Sequence, residues 1–414
     1  MVKDSLHAIT IKKSNELCDW YETQMKTVSY PIYSSYDIRD SGYKVTNVDA
    51  NIYPAGFNNI CPTDLENVPE LFDRYLKLHY KIRPRRVLLL TEQHTQNPYY
   101  WDNVWTLLDS FKSLNIEILP AFPTALAENL TLESARGHKI EVHSAHRDST
   151  VWRSFEPDLI ISNNDFSDSL EEWASTIQLP INPPREMGWY QRKKSNYFKH
   201  YNEIVNEFSN VAGVDPFIMR VETEHVDHFD IGEEKSREEL ADKVNYFLRK
   251  LETIYKEREI AQKTFVFVKN NSGTYGLAVI KVSDANDIKN WSYKSRKKMK
   301  AAKGGRDVEE VIIQEGIPSK VKADDASAEP VIYMVGCDLA GGFLRTHAEK
   351  DSTESLNSPG AVYKKLCVTD LLVRPEECSM ENVYGWTAKL GLLAIGREAQ
   401  EMKVEYKKFI NSPC

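Results

Sequence analysis

Short apolar runs alternating with a helical pattern constrain this chain most. Val87 to Leu90 is an apolar run that follows the basic Arg83-Pro84-Arg85-Arg86. Asn97-Pro98 then supplies a helix N-cap and a proline at the first helical position. Trp101, Val104, Trp105, Leu108 and Phe111 follow at helical spacing. Ile116 to Leu119 and Asp158 to Ile161 are two more short strands. Strand, helix and strand at this spacing form a βαβ unit, which requires a parallel sheet.

The middle of the chain reads as helix. Phe198, Tyr201, Ile204, Val205 and Phe208 share a face that ends near Gly213. A second long helix is expected from Ser236, with Glu239 completing a capping box. From Thr264 the pattern turns to strands: FVFVK, LAVIKV, VIIQEGI, and a hairpin of PVIYMV with GGFLR. Trp386 to Lys408 reads as a last helix. The expected fold class is therefore α/β in three parts. Residues 1–185 form a parallel-sheet domain, 186–262 a helical connection, and 263–414 a mixed or antiparallel sheet with the last helix. The proline-rich stretch from Leu179 to Pro184 marks the first boundary.

Composition excludes several classes. With 414 residues, 41% of them hydrophobic, disorder cannot dominate. No apolar run approaches the ~18 residues of a membrane span, and the first twenty residues lack a signal-peptide core. A cytoplasmic protein with no membrane partner is expected. Lys plus Arg is 53 against 61 for Asp plus Glu, a net of −8. That is not the basic balance of a nucleic-acid binder. Six scattered cysteines include no C-x-x-C pair, so reduced thiols and no zinc site are expected. His143 with His146, and His225 with His228, stand three apart, but H-E-x-x-H is absent. A basic run, Lys294, Arg296, Lys297, Lys298, Lys300, Lys303 and Arg306, suits a solvated helix or a flap near phosphates.

Four segments could carry chemistry. In VTNVDAN, residues 45–51, strand alternation puts Asn47, Asp49 and Asn51 on one face. A carboxylate and an amide two apart can offer oxygens to Mg²⁺. In KNNSGTYG, residues 269–276, a strand delivers Lys269 to a small-residue loop of Asn271, Ser272 and Gly273. Such a loop can wrap phosphate, though it is not a P-loop. Gln314, Glu315 and Ile317 end an apolar strand abruptly, where backbone groups can meet an adenine ring. Arg345 and His347 in GGFLRTH precede the loop ESLNSPG, with Asn357 and Gly360. An arginine there can fork onto carboxylate or phosphate. Each segment alone is equally an ordinary turn or strand end.

Together these segments resemble the proteobacterial-type glutamate–cysteine ligase family, over roughly residues 10–400. The resemblance is carried by DIRDSGYKVTNVDANIYPAGFNN, NPPREMGWYQRKKSNYF, VKNNSGTYGLAVI, and GGFLRTH with ESLNSPG. A looser resemblance to eukaryotic glutathione synthetase implies an ATP-grasp fold in permuted order. The two resemblances imply ATP and Mg²⁺ as cofactors, and the first implies glutamate and cysteine as substrates. By the looser resemblance Asp49 and Asn51 are metal ligands and Arg39 anchors a substrate carboxylate. Lys269 is the central ATP lysine, Lys194 the first one, with Lys193 its rival. The family's loop glutamate is missing after Lys269, so the third metal ligand is expected from Asn271, with Ser272 or a residue elsewhere in the chain as alternatives. His347 replaces a lysine. Arg345, Lys269 and Arg39 are the expected catalytic set. Another ligase of this architecture, or a nucleotide-binding regulator, is the alternative, and self-association is left open.

Overall fold

Tyr33–Asp40 (β1) and Val45–Asn51 (β2) form an antiparallel hairpin. The computed structural model describes residues 2–272, 278–292, 295, 297, 299, 308–367, 372, 373 and 380–404. Gly42 turns the hairpin at φ +83°, where an L side chain would be strained and would meet Lys320. The register pairs Asp37 with Asp49 but Ile38 with Asn47. Val48 is therefore a bulge, and one extra residue in a strand re-aims the side chains beyond it. The expected shared face holds for Asp49 and Asn51 only. Asn47 is buried on the other side and accepts from the Tyr197 hydroxyl at 2.7 Å.

Next come Arg86–Leu90 (β3), Glu117–Phe122 (β4), Leu130–Glu133 (β5), Lys139–Ser144 (β6), Leu159–Ser162 (β7) and Ile181–Asn182 (β8). They make a sheet in the order β5-β6-β4-β3-β7-β8, parallel throughout except for β5 against β6. Helix Pro98–Lys112 links β3 to β4, and the Asn97 side chain accepts from Tyr100 N–H. The carboxyl ends of these strands receive the β1–β2 region. Tyr33 donates to the Ser162 carbonyl, and Asn163 to the Pro54 carbonyl at 2.9 Å. Such ends are where open α/β sheets place ligands.

Helix Lys194–Ala212 follows, ending at Gly213 in the left-handed region. Helix Glu234–Glu257 begins two residues before Ser236. The capping box does not form, because the Ser236 hydroxyl accepts from Asp230 N–H in the preceding loop. This helix covers Thr223–Val226 (β9), Val266–Asn270 (β10), Val279–Val282 (β11) and Val311–Glu315 (β12). The four strands run antiparallel in the order β11-β10-β12-β9. Leu240, Val244, Phe247 and Leu251 pack on Val266, Val268 and Ile313 in a core of their own.

Lys322–Ala323 (β13), Ala326–Val335 (β14), Asp338–Thr346 (β15) and Val362–Leu366 (β16) complete the chain's main strands. The expected β14–β15 hairpin is present. β14 also pairs with β1, giving a sheet ordered β16-β15-β14-β1-β2. This sheet joins residues 33–51 to 326–366, across the divisions expected at 185 and 263. No local pattern announces a pairing between segments so far apart. Helix Val383–Glu401 packs against this sheet, with Gly391 against the Tyr36 ring, where a Cβ would sit 2.5 Å away.

The reduced-thiol expectation is overturned. Cys61 and Cys367 form a disulfide, and Cys18 and Cys337 are also disulfide-bonded. Only the fold brings these cysteines into reach of partners. Gly273, and all of the basic run except Lys297, lie outside the described residues. Among the described residues, no helix is long and apolar enough to cross a membrane.

Candidate active site

The sheet face away from helix Val383–Glu401 is charged. Asp37 and Asp49 stand opposite each other across β1–β2. Lys194 Nζ bonds Asp49, while Arg345 Nη1 lies 2.7 Å from both Asp37 and Glu329. Arg39 Nε is 2.8 Å from Glu329. Burial pushes Asp49 up, but Lys194 and Lys269 more than offset this and hold its carboxyl below the usual value. Burial also pushes Asp37 up, and there Arg345 only partly compensates, with Glu329 adding to the rise. The two facing acids are thus pushed apart in acidity.

Lys269 reaches this face from the antiparallel lobe. Its Nζ donates to Gln314 Oε1 at 2.5 Å and to the Val48 carbonyl, exposed by the bulge, at 3.1 Å. Burial brings its pKa down from 10.5 to about 8, against the pull of Asp49. A cleft between lobe and sheet is lined by Asp37, Asp49, Lys194, Lys269, Gln314 and Ile317. Gln314 Nε2 is buried there without a hydrogen-bond partner.

Of the two rival lysines, Lys194 faces the cleft, whereas Lys193 pairs with Glu310 at 2.9 Å. Asn271 does not join the acids. Its Oδ1 accepts from Ser195 N–H, its Nδ2 donates to Ser195 Oγ and Glu310, and its carbonyl accepts from Lys194 N–H. It is taken up by the start of helix Lys194–Ala212, whose first N–H groups need such partners. Asp37, rather than Asn271, lines a cavity together with Asp49 and Asn51. Ser272 is half-buried and its N–H is held by Asn270. Glu315 borders the cleft, but its carboxylate is taken up by Lys44 at 2.8 Å, the Tyr255 hydroxyl and Glu222 N–H.

Arg39 and His347 both hold the segment that closes the cleft. Arg39 donates to the carbonyls of Ser352 at 3.2 Å and Glu354 at 2.8 Å. His347 Nε2 donates to the Pro359 carbonyl at 3.0 Å, its Nδ1 accepting from Glu349 N–H. Gly360, at φ +96°, lies against that ring. Between these supports Asn357 faces the cleft. The arginine expected to anchor a substrate carboxylate therefore has its guanidinium committed to loop carbonyls and Glu329. Nothing in the sequence marks Asp37 or Glu329 as site residues. DIRD alternates acid and base at positions 37, 39 and 40, but its importance depends on a pairing register.

Cations over half-buried paired carboxylates, in a cleft between an antiparallel lobe and a larger sheet, suit a polyphosphate and a carboxylate together. The class this defines is the ATP-dependent ligase. Residues 7–399 match the family described as GshA, glutamate–cysteine ligase, and the chain belongs to that family. A crystal structure from Methylobacillus flagellatus KT, provisionally described as a gamma-glutamylcysteine synthetase, is 30% identical with a TM-score of 0.84. The match covers 96% of each chain. A glutathione synthetase-like effector from Globodera pallida is 12% identical, TM-score 0.38, covering 89% of this chain and 82% of that one. A likeness that distant carries no weight. No curated protein gives a match.

Proposed function

We propose that this cleft forms γ-glutamylcysteine from glutamate and cysteine at the expense of ATP, through an acyl phosphate. It would be the first step of glutathione synthesis, on an ATP-grasp scaffold in the cytoplasm. The observation that carries the reading is the meeting of Lys194, Lys269 and Arg345 on the facing acids Asp37 and Asp49. Asp37 and Asp49 offer carboxylate oxygens and Asn51 its Oδ1, which also accepts from Tyr53 N–H at 2.9 Å; oxygens are what a hard cation such as Mg²⁺ prefers. When bound there, Mg²⁺ would supply charge neutralisation on the phosphates.

The chain's own groups do the rest. Lys194 and Lys269 offset charge as the γ-phosphoryl moves to the glutamate γ-carboxylate and ADP leaves. Arg345 stands where the acyl carbonyl develops negative charge when the cysteine amine attacks and phosphate departs. Arg39 and His347 hold the loop carrying Asn357 over the reacting groups, which excludes water from a hydrolysable intermediate. The test is a heavy-oxygen label in the glutamate γ-carboxylate. One labelled oxygen should appear in the released phosphate. Unlabelled phosphate would remove the acyl-phosphate step.

A further inference from the structure

Beside the nucleotide cleft lies a second cavity of about 160 Å³, sharing Asp37, Asp49 and Asn357 with it. Water needs about 10–15 Å³ on this measure, so the cavity has room for one small amino acid. Its walls come from the sheet, with Tyr363 of β16 at the rim, the loop after β2 with Tyr53 and Asn59, Asp165 after β7, Trp189, and Asn357. Two buried donors border it without acceptors, Trp189 Nε1 and Arg345 Nε. Trp189 is 4% exposed and Arg345 8% exposed. A buried unpaired N–H is costly, and two bordering one cavity call for acceptor oxygens from a ligand.

Trp189 is fixed in place by its surroundings. Its backbone N–H pairs with the Asp165 carbonyl at 3.1 Å, and Tyr190 N–H with the Phe166 carbonyl at 2.8 Å. Lys194 Nζ lies 4.7 Å from its ring centre and Arg192 4.9 Å. A phenylalanine would keep those cation contacts and lose only the indole N–H.

We infer that this cavity binds glutamate, with Trp189 Nε1 donating to one of its carboxylates and Arg345 Nε to the other. The assignment rests on the ligase reading above. Glutamate is preferred to cysteine for two reasons. The cavity opens onto the metal-ligand acids, where the carboxylate to be phosphorylated must sit. It also presents unpaired donors from two separate elements, which suits a dicarboxylate better than a monocarboxylate. Val331, Tyr333 and Phe343 supply apolar surface for the intervening methylenes.

The experiment is steady-state kinetics of full-length Trp189→Phe, with glutamate, cysteine and ATP varied in turn. Losing one hydrogen bond to a charged group should raise KM for glutamate roughly 10- to 100-fold, leaving KM for cysteine and ATP within about twofold. Asn59→Asp is a second, isosteric variant. It puts a negative charge into the cavity and should weaken glutamate by a similar factor. A rise confined to cysteine, or no change in either variant, overturns the assignment. A wild-type enzyme that makes no γ-glutamylcysteine overturns the ligase reading instead, so the two failures are distinguishable.

Discussion

Asp37 and Asp49 face each other across the β1–β2 pair, yet each is claimed by a different cation, Arg345 for Asp37 and Lys194 for Asp49. The pair thus joins an arginine from β15 to a lysine from the start of a helix. If the two acids hold the nucleotide's metal, neither can be spared. Asp37→Asn and Asp49→Asn should each reduce kcat/KM for ATP by about 100-fold or more, and raise the Mg²⁺ needed for half-maximal turnover. Asn51→Ala should have a smaller effect. ADP release against Mg²⁺ concentration reads all three, and an unchanged Mg²⁺ midpoint in Asp37→Asn would return the third ligand to an open question.

Lys269 gives a pH signature. Burial holds its pKa near 8, and a bound polyanion favours the charged form. ATP binding near pH 8 should therefore take up a fraction of a proton, measurable by calorimetry in buffers of different ionisation enthalpy. Lys269→Met should abolish the uptake and weaken ATP binding. For stability the sign runs the other way. A lysine whose folded pKa lies below its unfolded 10.5 costs stability below about pH 8, and the cost fades as pH rises toward 10.5. Unliganded Lys269→Met should melt higher than wild type at pH 7.

Arg39→Lys keeps a positive charge beside Glu329 but cannot fork onto the Ser352 and Glu354 carbonyls. Protease cleavage between residues 350 and 360 should speed up, and kcat should fall about tenfold, one hydrogen bond's worth or slightly more. His347→Ala, which releases the Pro359 carbonyl, should act in the same direction. Equal cleavage rates in variants and wild type would deny both residues a role in holding the loop.

Arg192 and Glu398 form a bidentate pair, 1% and 0% exposed, that ties helix Val383–Glu401 beneath β2. Arg192 Nη1 also donates to the Ala50 carbonyl at 3.3 Å, between Asp49 and Asn51. Glu398→Ala leaves a buried guanidinium without its carboxylate and should destabilise by about 3–5 kcal/mol. Thermal or urea melting measures it. A loss under about 1 kcal/mol would show the pair is relieved by rearrangement.

The Cys61–Cys367 disulfide ties the loop after β2 to the end of β16, whose Asn59 and Tyr363 border the second cavity. Replacing both cysteines by alanine should cost about 2–4 kcal/mol and raise KM for glutamate more than KM for ATP. Equal stability with and without reductant in wild type would show that the bond is not formed in solution.

The parallel sheet was legible in the sequence because its signals are local. An N-cap at Asn97, a proline after it and the spacing from Trp101 to Phe111 lie within one helix. The β1–β14 pairing was not legible, since neither DIRD nor PVIYMV carries any mark of the other. Asp49, Asn51, Lys269 and Arg345 could be picked out from residue type and resemblance. Asp37 could not, because its place beside Asp49 depends on a register that the Val48 bulge shifts midway. Resemblance marks Arg39 and His347 but not their contacts, because backbone carbonyls of a distant loop have no sequence signature. Asn271 has the oxygen of a ligand, but the helix start at Lys194 uses it. The cysteines stand too far apart in sequence for any spacing rule to pair them.

The most direct measurement is ADP release by the purified chain with Mg²⁺, ATP and glutamate, with and without cysteine, alongside Asp49→Asn, with products read by mass. The account predicts cysteine-dependent ADP release, a γ-glutamylcysteine mass, and loss of both in the variant. ATP binding with no such product, or full activity in Asp49→Asn, would contradict it.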